Sequence, residues 1–268
     1  MNPTTARRPA GLVFGLAYAI LAALVAATFA AQFQSAPPLG LADRPWIWRL
    51  VVASIVLSVA GWIGMLVFGR RTIERVGVEG LATIGLISGV QFAISYTTVL
   101  LGTMLHPLFG PFVIFVTGPG DEGLPCLLIG VLLTLLPRPG TLMLNYATLF
   151  VLNCIFGGSF GLVPILFATV SIVLGESILA LSRVTTGEAL KRSGERPPPG
   201  AVWRIGATIG VVNAAPLLVQ YGFSQVFYRL EFATWFIAAG VLIPGFLYGA
   251  IGGAIGVRLG YRLRRTAR

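Results

Sequence analysis

Charge is scarce in this sequence: only 10% of its residues are Asp, Glu, Lys or Arg, where soluble domains carry about 25%. That scarcity argues against a water-soluble globule, which would have nothing polar with which to cover its surface. Cysteine occurs twice, as Cys126 and Cys154, both in apolar runs and without any CxxC or metal-ligand spacing. This argues against a disulfide framework and against a zinc site. Histidine occurs once, as His106. GxSxG, HExxH and P-loop signatures are absent, and no pair of carboxylates sits inside an apolar run to suggest proton pumping. The expectation is a protein that is not an enzyme, needs no cofactor and cannot hydrolyse ATP itself.

What is present is apolar. Hydrophobic residues make up 56% of the 268 positions, and the mean hydropathy is +0.88. The runs are long and do not alternate, so they read as membrane-spanning helices rather than barrel strands. Eight spans are expected: Gly11–Ala31, Trp46–Phe68, Leu81–Met104, Leu124–Leu136, Thr141–Phe156, Leu162–Leu181, Ile205–Gly222 and Phe232–Val257. The first run follows Arg7 and Arg8, as a signal peptide would, but it is longer than a usual signal core and reads as a span. The fold class is therefore all-α and polytopic.

A net charge of +10 would suit nucleic acid, but the charges lie in short clusters between apolar runs, which is how topology is encoded. With the N-terminus inside, sixteen of the nineteen basic residues fall on the inner side, leaving Arg44, Arg49 and Arg229 outside. Both termini are thus expected in the cytoplasm, with no nucleic-acid partner.

Two connections stand out. Leu105–Gly123 is rich in Pro and Gly around the apolar island PFVIFV, and reads as an outside re-entrant segment, an interfacial segment or a lid. Arg183–Val202 is a polar inside loop ending in three prolines. In the third span Gly85, Gly89 and Ala93 recur every four residues on one face, and in the last span Gly245, Gly249 and Gly253 do the same. Such ridges pack helices within a chain or dock a partner subunit. Polar residues at membrane depth include Gln91, Ser95, Tyr96, Asn145, Tyr146, Asn153, Asn213, Gln220 and Tyr221. Interhelical hydrogen bonding is their ordinary role, and lining an outward-facing pocket is the other. Glu176 is the one carboxylate clearly inside a span, about two turns from Arg183. It needs a structural hydrogen bond, or serves in coupling. His106, Asp121, Glu122 and Cys126 cluster near the outside connection but fit no metal-site spacing.

Four motifs share one spacing. Gly123 precedes a span that closes with Arg138, Pro139 and Gly140. Cys154 precedes the Gly157–Gly161 turn. Glu176 is followed seven residues later by Arg183, and the last span ends GFLYGAIGGAIGVRLG. In these respects Leu81–Gly260 resembles the substrate-binding S component of energy-coupling factor (ECF) transporters, most closely the YkoE-type family assigned to thiamin or its hydroxymethylpyrimidine precursor. The resemblance implies a six-helix substrate-binding domain over residues 79–268, with the outside connection 105–123 as its lid. Residues 1–78 would then be a fused two-helix hairpin. It implies uptake of a small vitamin-like ligand across the plasma membrane, with a T component and two ATPase subunits as partners. Gln91, Ser95, Tyr96, Asn153 and Gln220, nearer the outside on this topology, together with Tyr146 are the candidate ligand contacts; the partner surface that the resemblance implies is Gly85, Gly89 and Ala93, and Glu176 with Arg183 would be structural or coupling residues. The family's acids after the Pro-Gly turn are replaced here by Tyr146 and Asn153, and its Gln ahead of the Glu by Ser171. A cationic ligand would lose those counter-charges. Two rival readings are an assembly protein without a ligand and a membrane-embedded lipid enzyme. The second lacks an acid, base and nucleophile constellation.

Overall fold

The computed structural model describes residues 45–157, 162–185, 199–227 and 236–266. The first expected span, Gly11–Ala31, lies outside them. Every described element is helical. Five helices are long and apolar enough to cross a bilayer: Gly69–Phe109, Val113–Leu135, Pro164–Leu181, Pro199–Gln225 and Ala239–Thr266. Two shorter apolar stretches, Val51–Gly61 and Thr141–Phe156, accompany them.

The distribution of side chains suits lipid as the solvent. Leu86 is 71% exposed, Met104 76% and Leu181 85%, whereas Ser54, Ser88, Gln91, Thr134 and Asn145 are buried. In water this would be an inside-out protein. In a bilayer the apolar surface costs nothing, and polar groups turn inward to find partners. The chain is a multi-pass membrane protein.

Helix α1 runs from Pro45 to Phe109 and is broken at Gly77, whose φ of 75° and ψ of 173° suit only glycine. Contacts on the two sides of the break show that the chain reverses there. Before it, Gly61 abuts Val173 and Thr72 abuts Gly140; after it, Gly80 abuts Leu136 and Gln91 reaches Pro125. The first half of α1 is therefore packed into the bundle, its Gly61 against the later helix that carries Thr169 and Val173.

The connection over 105–123, expected as a re-entrant segment, an interfacial segment or a lid, is helical. After α1 ends, a 3₁₀ turn spans Gly110–Phe112, α2 spans Val113–Gly118, and a π-helical turn spans Pro119–Gly123 before α3, Leu124–Leu135. The reversal takes place at Gly110, whose φ is +54°. Gly102 then faces Thr117, and Thr98 faces Gly120. The fourth span thus begins at Val113, and its 23 residues reach about 35 Å, enough for the hydrocarbon core. Pro111 sits at a first-turn position, where a missing N–H breaks no hydrogen bond; Pro119 opens the π-helical turn, and the Phe115 carbonyl four residues before it accepts from Tyr248 Oη at 3.3 Å.

Helix α4 is Thr141–Phe156, α5 is Leu162–Leu181, α6 is Pro199–Phe227, and a π-helical segment Phe236–Leu242 leads into α7, Ile243–Thr266. Glycine seats α7 between α3 and α6. A Cβ on Gly130 would come within 2.6 Å of the Gly253 carbonyl, one on Gly210 within 2.6 Å of the Phe246 carbonyl, and one on Gly256 would strike the Leu127 carbonyl. Backbones in contact maximise dispersion where no hydrophobic effect assists. Gly245, Gly249 and Gly253 are therefore packing residues within the chain: their faces meet Leu217, Gly210 and Ile209. The other ridge differs. Among the described residues, a Cβ on Gly85 or Gly89 would meet nothing within 4 Å, and Gly85 and Ala93 are exposed.

Candidate functional site

Polar groups at membrane depth form two separate networks. In the first, Asn145 of α4 donates from Nδ2 to Ser88 Oγ at 2.8 Å and to Gln91 Oε1 at 2.7 Å. Gln91 Nε2 in turn donates to the Pro125 carbonyl at 3.0 Å. This chain of amides ties α1, α4 and α3 together. Both ends of the Gln91 carboxamide are occupied by the protein, so in this conformation Gln91 is a cross-brace. Asn145 Oδ1 is buried with no hydrogen-bond partner among the described residues.

The other expected ligand residues have varied surroundings. Tyr96 is 47% exposed and stacks on Phe92, with centroids 5.9 Å apart. Phe92 also meets Phe156 at 6.1 Å, so these rings form an aromatic strip. Asn153 donates to the Leu149 carbonyl of its own helix at 2.9 Å. Ser95 and Gln220 are half-buried. Tyr146 packs against the core cluster that contains Cys126.

The second network centres on a residue that the sequence reading leaves in a loop. Glu122, in the π-helical turn ahead of α3, accepts a hydrogen bond from Asn213 Nδ2 of α6 at 3.2 Å. The same Nδ2 lies 3.0 Å from the Gly245 carbonyl at the start of α7. A carboxylate is thus held where three helices meet, flanked by the two π-helical segments, a geometry that often marks functional positions. Tyr221 lies within electrostatic reach of Glu122 and Asp121, and Cys126 within reach of Glu122. Glu122 and Asn213 are thus in direct contact, and Tyr146 packs against the core cluster that contains Cys126. Among the described residues no group of three His, Cys, Asp or Glu side chains is arranged to hold a metal.

The opposite end of the bundle is built around the turn Pro137–Gly140. Gly140 has φ 89° and lies against Thr72. The Glu176 carboxylate reaches across from α5 to the start of α4: Gly140 N–H donates to Oε2 at 3.1 Å, and Met143 N–H donates to Oε1 at 2.9 Å. Thr141 N–H is taken by the Arg138 carbonyl at 3.3 Å. A helix start leaves its first N–H groups without acceptors and carries a partial positive charge. Glu176 answers both needs, so its partner is the backbone of α4. Arg138 plays the complementary part, donating from Nη1 to the Arg75 and Val76 carbonyls, where the first half of α1 ends.

Arg183 has its own task. After α5, Val184 N–H donates to the Leu179 carbonyl at 2.9 Å and Arg183 N–H donates to the Ala180 carbonyl at 3.0 Å. These paired bonds are a Schellman motif, with Arg183 at the left-handed position, φ 55°. Val184 and Leu179, both fully buried, supply the apolar contact that accompanies it. Since glycine takes this conformation without the Cβ clash, Arg183→Gly is expected to stabilise the protein by about 1 kcal/mol. A higher thermal midpoint in detergent would show this, and a lower one would assign Arg183 a side-chain role.

Compared with known proteins, the chain matches no protein family, no curated protein and no solved structure.

Proposed function

We propose that this chain is the substrate-capturing membrane subunit of an ECF-type importer for a small, vitamin-like nutrient related to the thiamin precursor. In this reading it has eight spans, both termini lie on the cytoplasmic side of the plasma membrane, and a T component with two ATPase subunits drives uptake. The observation that carries the proposal is the Glu122–Asn213 hydrogen bond. A carboxylate inside a span is costly, and such groups often mark a substrate or ion path. Glu122, with Asp121 beside it, supplies the negative charge that Tyr146 and Asn153 do not, so a cationic heteroaromatic ligand regains its counter-charge. Tyr146 and Tyr221 would stack on the ring, and Asn213 would orient the carboxylate. The helical hairpin turning at Gly110 takes the place of a lid. The bare Gly85, Gly89 and Ala93 face would receive the T component.

The test is ligand binding to purified protein. Thiamin and its hydroxymethylpyrimidine precursor are compared with neutral heteroaromatics, in the wild type and in Glu122→Gln. The expectation is selective binding of one of these nutrients, weakened about tenfold or more by the substitution, since a lost charge-assisted contact is worth about 1.5–3 kcal/mol. Equal affinity in Glu122→Gln would remove the carboxylate from the site. Binding of none of the compounds, together with a stable partner that is not an ECF subunit, would favour the assembly reading, which the bare ridge also suits.

A further inference from the structure

The π-helical turn that carries Glu122 is bound along one side by α7. Pro119 opens the turn and has no N–H to give the Phe115 carbonyl four residues earlier. Tyr248 Oη of α7 donates to that carbonyl, at 3.3 Å. The Tyr248 ring lies across Gly118, where a Cβ would come within 2.5 Å of Cε2 and 3.0 Å of Cδ2. Only a residue without a Cβ lets the ring approach the backbone this closely, and Gly118 is buried beneath it.

Two more contacts bind the same turn to α7. A Cβ on Gly245 would come within 2.9 Å of Glu122 Oε2, and one on Gly252 would strike the Gly123 carbonyl. Gly245, Tyr248 and Gly252 stand three and four residues apart, so they share one face of the helix. The two glycines let the carboxylate and the backbone settle against α7, and the tyrosine between them fills the space and reaches Phe115. On another side the turn meets the second half of α1, where Gly120 lies against Thr98.

We infer that Tyr248 is a positioning residue for the Glu122 site: its hydroxyl and ring fix the Pro119–Gly123 turn against α7 and so set where the carboxylate stands relative to Asn213 and Gly245. The Asn213 Nδ2 to Glu122 Oε2 distance of 3.2 Å is long for a hydrogen bond to a carboxylate, so a small shift of the turn decides whether the bond is kept. Tyr248 acts through the turn. Its placement of Glu122 stands on these contacts alone, while its effect on a bound nutrient rests on the importer reading.

Infrared difference spectroscopy of the full-length protein in detergent reads the placement directly. The Glu122 carboxyl bands are isolated by subtracting the spectrum of each protein's Glu122→Gln counterpart. Tyr248→Phe removes only the hydroxyl, and Gly118→Ala pushes the ring off its seat with the hydroxyl kept. The bands are expected to shift in both, and to stay in place in Leu247→Ala, which alters an exposed neighbour on α7. Binding of thiamin or its hydroxymethylpyrimidine precursor is then measured in the same proteins. Tyr248→Phe is expected to weaken it about three- to tenfold, the worth of one net hydrogen bond, and to have no further effect once Glu122 is replaced by glutamine. Unshifted bands in folded Tyr248→Phe would overturn the inference, as would the same loss of affinity with and without the Glu122 carboxylate. If Tyr248→Phe does not fold, the bands of Gly118→Ala decide in the same way. Shifted bands with no nutrient bound by the wild type would keep Tyr248 in its role and remove the importer reading.

Discussion

Replacing Gly256 with alanine is expected to lower the midpoint of thermal unfolding by about 5–10 °C, while replacing Gly85 with alanine leaves it unchanged. Gly256 stands on α7, the helix of the Gly245, Gly249 and Gly253 ridge, and Gly85 stands in the ridge of the third span, which has the same spacing. At Gly256 a new Cβ would strike the Leu127 backbone carbonyl. A backbone atom inside a helix cannot swing aside, so α3 and α7 must separate. Overpacking of this kind costs about 1–3 kcal/mol, and the loss spreads because Gly130, Gly252 and Gly253 share the same interface. At Gly85 the added methyl enters open space and slightly favours the helix. Thermal unfolding of both variants in one detergent decides the matter. Equal destabilisation would mean that the Gly85 face is packed within the chain. If Gly85→Ala is stable but fails to retain a partner subunit, the bare ridge is a docking surface.

Removing Glu176 is the second large effect. Glu176→Ala leaves the N–H groups of Gly140 and Met143 without their acceptor at a helix start packed against α5. An orphaned buried donor costs about 1–3 kcal/mol, so a total of about 2–4 kcal/mol is expected. Glu176→Gln keeps one acceptor oxygen and should fall between wild type and alanine. The loss is expected in the stability of the isolated chain, with no partner or ligand present. A normal midpoint for Glu176→Ala, accompanied by loss of uptake in cells, would contradict the structural role and assign Glu176 to coupling.

These two sites show what was legible in the sequence. Helical spans announce themselves through long apolar runs, and α3, α4 and α5 lie within a residue or so of their expected bounds. The connection 105–123 is rich in Pro and Gly, yet it is helical: Pro111 stands in a first turn, where a missing N–H costs nothing, and Pro119 opens a π-helical turn. The two glycine ridges have identical spacing, and only the neighbours distinguish a packed one from a bare one. Glu176 has Arg183 at a suggestive distance along its own helix, but its partners are amides 33 and 36 residues away. Helix-start donors leave no side-chain signature in the sequence. The Glu122–Asn213 bond joins residues 91 positions apart, and Glu122 was read as an ordinary loop acid because its surroundings looked irregular. Gln91 shows the reverse: it is polar and at membrane depth as expected, but its amide is held by Asn145 and Pro125.

Purification of the intact protein from native membranes in mild detergent, with mass spectrometry of both proteins and small molecules, tests the central claim most directly. The account expects a T component and ATPase subunits to co-purify, together with a cationic or precursor-like heteroaromatic compound that is lost in Glu122→Gln. Recovery of unrelated membrane partners, with no small molecule in either protein, would contradict it.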